Sequence, residues 1–437
     1  MIFHVIIQNS SEDNFAINED TNNKVIKIPS FISDLDQTIV SHNLKHILSS
    51  NNLIPTEEMI DFGNLCLAAY TIDQLISRSS YGYYQWSRYF KLYIPVIETS
   101  KWSQAKKELE ECLSFLSGDK WEVMIRPRNA VYDNYIREAS EIEQVSLFSG
   151  GLDSFIGSID LLEQKQNVAL VSHHKGGGGG EKSLQEELIS KLNKSYEDEN
   201  ALGFNFYVQP TQGNNPYGGE DTQRARSIIF IALGLLVANS IGDQMPLIIP
   251  ENGLISLNIP LTTTRYGSYS TRTTHPNFLY KVKQVLQTVG ISNDIDNPYR
   301  FKTKGEMILD SKNIDLVRVL ANETISCSKP GYYVRWQGRS EKHCGNCVPC
   351  IIRRASMYKA SIDQYSGNYV LDVISNNTGE NLRAFKIGLA SYASFKGNRV
   401  FQVLKSGPIP CNDQELNEYI SVYERGMEEV KSFLNQK

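Results

Sequence analysis

Ser149-Gly150-Gly151-Leu152-Asp153-Ser154 stands between an apolar run, Val145 to Phe148, and a segment with helical spacing, Ser154 to Glu163. A buried strand that runs through a glycine turn into a helix aims the turn's amides past the strand's carboxyl end. The helix N-terminus adds a positive dipole end, which favours an anion there. Adjacent Gly150 and Gly151 let the backbone approach phosphate oxygens in conformations closed to other residues. Ser149 and Ser154 add hydroxyl donors, and Asp153 suits a helix cap or a Mg²⁺ contact. No Gly-Lys-Ser/Thr closes a P-loop, and no G-x-G-x-x-G marks a dinucleotide turn. Short serine–glycine turns also occur for structural reasons, but this strand and helix favour the phosphate reading.

Outward from the turn, residues 141–320 repeat strand and helix, the pattern of a parallel sheet with crossover helices. Strands are expected at Val168 to Ser172, Phe204 to Val208 and Leu247 to Pro250. Helices are expected at Ser183 to Leu192, Thr222 to Ser240 and Phe278 to Thr288. Residues 1–140 read as an additional N-terminal α+β domain, with strands at Phe3 to Ile7 and Trp121 to Ile125 and helices at Ile60 to Ser77 and Ser103 to Leu116. The aromatic stretch Tyr81 to Ile97 reads as packed core rather than a recognition surface. Residues 321–437 carry a cysteine cluster and helix-forming sequence.

The formal net charge is -5, so the whole chain lacks the basic character of a nucleic-acid-gripping protein, and nucleic acid is not expected as a direct ligand. No N-terminal stretch joins a basic segment to an apolar core, and the longest apolar run, Ile228 to Ile241, is too short to span a bilayer. A cytoplasmic protein with no membrane partner is expected. Of seven cysteines, Cys66, Cys112 and Cys411 are scattered, whereas Cys344, Cys347 and Cys350 lie at two-residue gaps with Cys327 upstream. Four thiolates with no open position describe a structural Zn²⁺ site, with an iron–sulfur cluster as the rival. His343 is expected to be a solvent-facing neighbour rather than a ligand.

The turn after an apolar strand resembles the PP-loop of the ATP pyrophosphatases, an adenine-nucleotide α-hydrolase-like family. Thr324 to Cys327 followed by Cys344 to Arg353 resembles the C-terminal zinc motif of the 7-cyano-7-deazaguanine synthases (QueC-like proteins). Gln223 to Arg226 is similar to that family's arginine-containing helix start, and Thr303 to Ile308 to its Thr-Lys-x-Glu-Ile segment. The resemblance covers residues 145–360, about half the chain. It implies a PP-loop parallel sheet core and a ligase that adenylates 7-carboxy-7-deazaguanine with ATP and Mg²⁺. An amine then displaces AMP.

Under that resemblance Ser149, Gly150, Gly151, Leu152, Asp153 and Ser154 hold the pyrophosphate and its Mg²⁺. Arg224, Arg226 and Lys304 neutralise phosphate or the substrate carboxylate, and His173 and His174, with Lys175, close the second strand near the adenosine. Glu251 to Gly253 and the loop Thr271 to Asn277 read the deazapurine edge. The synthases of this family are shorter and lack residues like 1–140. Here the spacing from Cys327 to Cys344 also holds Tyr332, Tyr333, Arg335 and Trp336, and Lys175 to Gly180 replaces an ordinary loop. These additions resemble QueC-like proteins of bacterial anti-phage operons (the Qat and cyclic-oligonucleotide-based systems). There the acceptor would be ammonia, giving amide and nitrile, or an amine on an operon-encoded partner protein. Two rivals stay open: a tRNA-thiolating PP-loop enzyme and a non-catalytic nucleotide-binding scaffold of a defence complex.

Overall fold

The computed structural model describes residues 1–131, 140–176, 180–197, 200–211, 213, 215–262, 272–328, 342–364, 367–376, 378–395 and 397–436. Four positions noted above, Tyr332, Tyr333, Arg335 and Trp336, lie outside them, as do Thr271 and residues 177–179 of the glycine run. The chain opens with β1 (Ile2–Gln8), β2 (Asn23–Pro29), β3 (Val40–His42), α1 (Leu44–Ser50), α2 (Glu57–Leu75) and α3 (Arg78–Tyr81). Then come β4 (Tyr89–Val96), α4 (Thr99–Ser117) and β5 (Lys120–Pro127). The middle of the chain gives β6 (Gln144–Leu147), α5 (Leu152–Leu162), β7 (Val168–His174), α6 (Gly180–Tyr196), β8 (Ala201–Pro210) and α7 (Arg226–Ile241). It continues through β9 (Leu247–Ile248), α8 (Gly253–Leu257), α9 (Pro276–Val289), β10 (Ile295–Asp296), α10 (Lys304–Leu309) and α11 (Ile314–Leu320). The C-terminal helices are α12 (Val348–Lys359), α13 (Val373–Asn376), α14 (Glu380–Ser394), α15 (Val400–Val403) and α16 (Asp413–Leu434).

The expected α/β core is present as a six-stranded mixed sheet in the order β10-β9-β6-β7-β8-β3. Counted from β6, its five parallel strands run 3-2-1-4-5, with the order reversing between β6 and β9. In such sheets ligands bind beyond the carboxyl ends of the strands at that switch. Strands covered on both faces carry near-continuous apolar runs, as in β7, where Val168 to His173 are all buried. α5 lies close against the β9 end because Gly157 has no side chain. A Cβ there would sit 2.5 Å from the Pro250 ring.

Residues 1–140 differ from the α+β expectation. Four of their five strands form a sheet in the order β2-β1-β4-β5 that is parallel throughout, and within it β4, α4 and β5 form a crossover unit that returns the chain in the same direction. Nor does this region fold around a core of its own. β3 pairs antiparallel with β8 and extends the six-stranded sheet. α2 is buried from Met59 to Leu75 and packs against β1 and β4 on one side and α7 and β8 on another. One apolar cluster runs through both regions. The aromatic stretch divides: Phe90 and Tyr93 are buried, but Tyr83, Tyr84 and Trp86 are exposed. They ride on a tight turn with Tyr84 and Gln85 both at positive φ, which holds the side chains off the core.

A buried charge cluster fixes the junction. Arg88 binds Asp119 through Nε at 3.1 Å and Nη2 at 2.7 Å, and Asp73 at 2.6 Å. Arg78 joins both carboxylates at 2.8 and 2.9 Å. The second oxygen of Asp73 accepts the Ala225 amide at 3.1 Å, so the N-terminal region caps α7. None of the described helices is long and apolar enough to cross a membrane.

Two stability measurements follow. Arg88→Met leaves Asp73 and Asp119 buried with too little positive charge, and is expected to lower unfolding free energy by about 3–5 kcal/mol in denaturant titrations. His275 is fully buried, accepts the Asn277 amide at Nδ1 and meets Ser406 at Nε2. Burial, and then Arg272, pushes its pKa down from 6.5 to about 3. Its neutral form is therefore the folded one. The stability it contributes is full above the unfolded pKa and is lost as pH falls toward the folded value. Between pH 7 and pH 5 the loss amounts to about 2 kcal/mol, and His275→Asn should remove that part of the pH dependence.

Candidate functional site

The turn leaves β6 and enters α5 with Gly150 at φ 79°, in the left-handed region, as the sequence required. Ser149 Oγ accepts the Gly151 amide at 3.2 Å and lies 3.2 Å from Ser154 Oγ, which also donates to the Gly151 carbonyl. Leu152 is buried and anchors the first turn of α5. The turn is thus ordered by its own serines while its open side lies at the switch between β6 and β9.

Asp153 and Lys304, distant in sequence, meet here as a buried ion pair at 2.5 Å. The other oxygen of Asp153 accepts the Asn252 side-chain amide at 2.6 Å and its backbone amide at 3.3 Å. Asn252 in turn caps α8 through the Ile255 amide. Burial alone would raise the Asp153 pKa. The Lys304 charge, with hydrogen bonds from Glu251, Lys304 and Asn252, outweighs it and holds the carboxyl below its ordinary range. Glu251, half-buried, moves the other way, raised by burial and then by the charge of Asp153. Glu251 therefore carries the proton of the pair and donates it to Asp153. Lys304 is presented by a capping box of Thr303 and Glu306 at the start of α10. α16 braces that box: Glu429 accepts the Thr303 hydroxyl, and Arg425 binds Glu306 at 2.7 Å and the Phe301 carbonyl at 2.7 Å.

The four cysteines converge as expected. The sulfurs of Cys327, Cys344, Cys347 and Cys350 all lie within 4.8 Å of one another, a donor set compatible with Zn²⁺. The Cys344 amide points to Cys327 Sγ at 3.5 Å, and the Cys347 amide to Cys344 Sγ at 3.3 Å. His343 is a correction to the sequence reading. It is 1 % exposed, its ring lies tilted against Tyr369, and its Nε2 accepts the Ser326 amide at 3.3 Å. The fold of the cysteine loop carries it inward.

This cluster is wired to the turn. α12 starts at the Cys347 cap and delivers Arg353, whose guanidinium binds Thr324 Oγ1 at 2.8 Å, Ser326 Oγ at 3.4 Å and the Ala321 carbonyl at 2.5 Å. Ser326 Oγ accepts the Leu152 amide at 3.2 Å, and the Ile325 amide donates to the Gly150 carbonyl at 2.9 Å. The cysteine knot therefore holds the segment that holds the turn.

The remaining candidates lie elsewhere. Arg226 reaches the His173 carbonyl and Glu181, each at 3.5 Å, at the end of β7. Arg224 turns toward the N-terminal region, binding the Ser117 carbonyl at 2.9 Å with its guanidinium 5.0 Å from the Trp86 ring centroid. His173 is fully buried and its Nε2 faces the Val208 carbonyl, whereas His174 is half-buried beside Tyr207. Arg272, after the undescribed loop, binds the Phe115 carbonyl at 2.7 Å. Sequence reading placed Glu251 only at a substrate edge; its partnership with Asp153 becomes visible once β6 and β9 lie side by side. Neither a comparison with protein-family models nor one with curated proteins returns a match.

The wiring predicts coupled behaviour. Cys347→Ser should lose the metal, measured by elemental analysis, and speed amide hydrogen exchange at Leu152 and Ile325 by at least about tenfold relative to wild type. Unchanged exchange there in metal-free protein would show that the turn stands without the cysteine knot.

Proposed function

We propose that the chain is an ATP-dependent ligase that adenylates a carboxylate. The family resemblance of its sequence motifs makes 7-carboxy-7-deazaguanine the acid. One observation supports this most: an anion-receptive turn with Gly150 in the left-handed region opens at the β6/β9 switch, directly against Asp153, Glu251 and Lys304. Amides at the start of α5 would bind the phosphate chain, and Lys304 would place an ammonium against its developing charge. Asp153 and Glu251 are carboxylates close enough to share a proton. A divalent cation would relieve such a pair; Asp153 and Glu251 would hold Mg²⁺ by giving up the shared proton and part of the Lys304 and Asn252 contacts, and the ion would screen the phosphate charges.

In the proposed reaction a carboxylate oxygen attacks the α-phosphorus of ATP. The bond to the β-phosphate oxygen breaks and pyrophosphate leaves. An amine nitrogen then attacks the acyl carbon, AMP departs with the bonding electron pair, and the nitrogen loses a proton. Ammonia as acceptor gives an amide that a second activation would dehydrate to a nitrile; an amine on an operon-encoded partner gives a conjugate, in keeping with a role in anti-phage defence. The cysteine cluster has a supporting role: with Zn²⁺ bound it would keep Ser326 and Ile325 against the turn. Against thiolation of tRNA stands the placement of the other thiols. Cys66 and Cys112 are buried in the shared apolar core, and Cys411 packs in the C-terminal helical region.

Pyrophosphate release from ATP and Mg²⁺, with and without 7-carboxy-7-deazaguanine, tests the reading, with product mass spectrometry to identify nitrile, amide or protein adduct. Release that depends on the acid is expected, falling about 100-fold or more in Lys304→Met while metal content is unchanged. Absence of acid-dependent release from the wild type, even with operon partners added, would sink it.

A further inference from the structure

A serine hydroxyl has one proton to donate and two lone pairs that receive donors, so each hydroxyl around the turn can be accounted for. Ser154 donates its proton to the Gly151 carbonyl at 3.0 Å. In the 3.2 Å contact between Ser149 and Ser154 the donor is therefore Ser149, whose own oxygen accepts the Gly151 amide at 3.2 Å. The protons of both turn serines are thus used inside the turn.

Ser326 differs. It reaches the turn from the cysteine-bearing segment, where its backbone amide donates to His343 Nε2 at 3.3 Å. Its Oγ accepts two donors, the Leu152 amide at 3.2 Å and Arg353 Nη1 at 3.4 Å, so both lone pairs are engaged. Its proton has no acceptor among the described residues and points away from both donors. Behind it stands Arg353, 1 % exposed, whose other partners are the Tyr369 and Thr324 hydroxyls and the Ala321 carbonyl, all neutral. A buried guanidinium that meets no carboxylate among the described residues polarises the hydroxyl it touches and makes it a stronger donor.

Beside this hydroxyl the turn is open. Ser149 is exposed, and Gly151 and Ser326 are half-exposed. A Cβ at Gly151 would stand 3.2 Å from Ser149 Oγ and 3.6 Å from both Ser326 Oγ and the Ile325 carbonyl, so the missing side chain leaves a cradle between the two serines. We infer that Ser326 is a phosphate-binding residue, donating its hydroxyl proton to an oxygen of a nucleotide phosphate seated over Gly151, while Ser149 and Ser154 shape the turn. This rests on the reading of the turn as the nucleotide site. A phosphate oxygen only accepts, which suits a hydroxyl whose lone pairs are already filled. The cysteine knot, through Arg353 and His343, thereby sets a contact to the ligand as well as the backbone of the turn.

Calorimetric titration of inorganic pyrophosphate with Mg²⁺, and separately of α,β-methylene-ATP, into wild type, Ser326→Ala, Ser326→Thr, Ser149→Ala and Gly151→Ala tests this. Affinity for both ligands should fall about 10- to 100-fold in Ser326→Ala, recover most of the way in Ser326→Thr, and fall less in Ser149→Ala than in Ser326→Ala. Gly151 has a φ of -81°, which a side chain tolerates, so Gly151→Ala should lose about tenfold or more by filling the cradle itself. Hydrogen exchange at the Phe155 amide, bonded to the Gly151 carbonyl at 3.0 Å, separates donation from bracing and should stay as in wild type in Ser326→Ala. Unchanged affinity in Ser326→Ala, a loss as large in Ser149→Ala, or a loss in Ser326→Ala matched by faster exchange at Phe155 overturns the assignment. Wild type that binds neither ligand overturns it together with the nucleotide reading of the turn. Wild type that binds both, with Ser326→Ala unaffected, overturns this inference alone.

Discussion

The Asp153 carboxylate is taken almost wholly out of water, and the three residues that compensate it come from two segments distant from it in the sequence. Lys304 supplies charge, Asn252 supplies two amides, and Glu251 supplies a shared proton. Removing one partner from such a buried pair costs about 3–5 kcal/mol, because the survivor stays desolvated and unpaired. The fold accordingly cannot let β6, β9 and the start of α10 drift apart. Their convergence defines the floor of the candidate site.

Around that pair the molecule is built as successive braces. α16 fixes the capping box that presents Lys304, through Glu429 and Arg425. The cysteine knot, by way of Arg353, Thr324 and Ser326, fixes the backbone of the turn. The N-terminal region fixes the start of α7 through Asp73 and the end of β7 through Gln74. Together they constrain where the open side of the turn lies, which is how a rigid scaffold preorganises a site.

The N-terminal region shows why a boundary in sequence need not be a boundary in space. Its parallel sheet would leave one face of α2 exposed if it stood alone. Instead α2 is sandwiched against α7, and β3 closes the edge of the neighbouring sheet at β8. Burying that edge satisfies its backbone groups and removes a strand otherwise open to pairing. The price of that interlock is the buried cluster of Arg78, Arg88, Asp73 and Asp119, whose charges must neutralise one another at close range.

Sequence alone determined the local elements. The apolar run before Ser149, the paired glycines, the Thr303/Glu306 cap and the cysteine spacing are short-range patterns, and each folds as local chemistry dictates. It also brought Asp153 and Lys304 into one hypothesis, through the family resemblance of their motifs. Tertiary structure decided which side chains share a site. Arg224 and Arg226 are two residues apart, yet one turns to Ser117 and Trp86 while the other reaches His173, because the chain enters α7 between them. Glu251 became a partner of Asp153, His343 moved inward, and residues 1–140 joined the core sheet. The places of Glu251 and of residues 1–140 depend on the order of strands, and a pairing between strands far apart in sequence leaves no mark in the local pattern of either one.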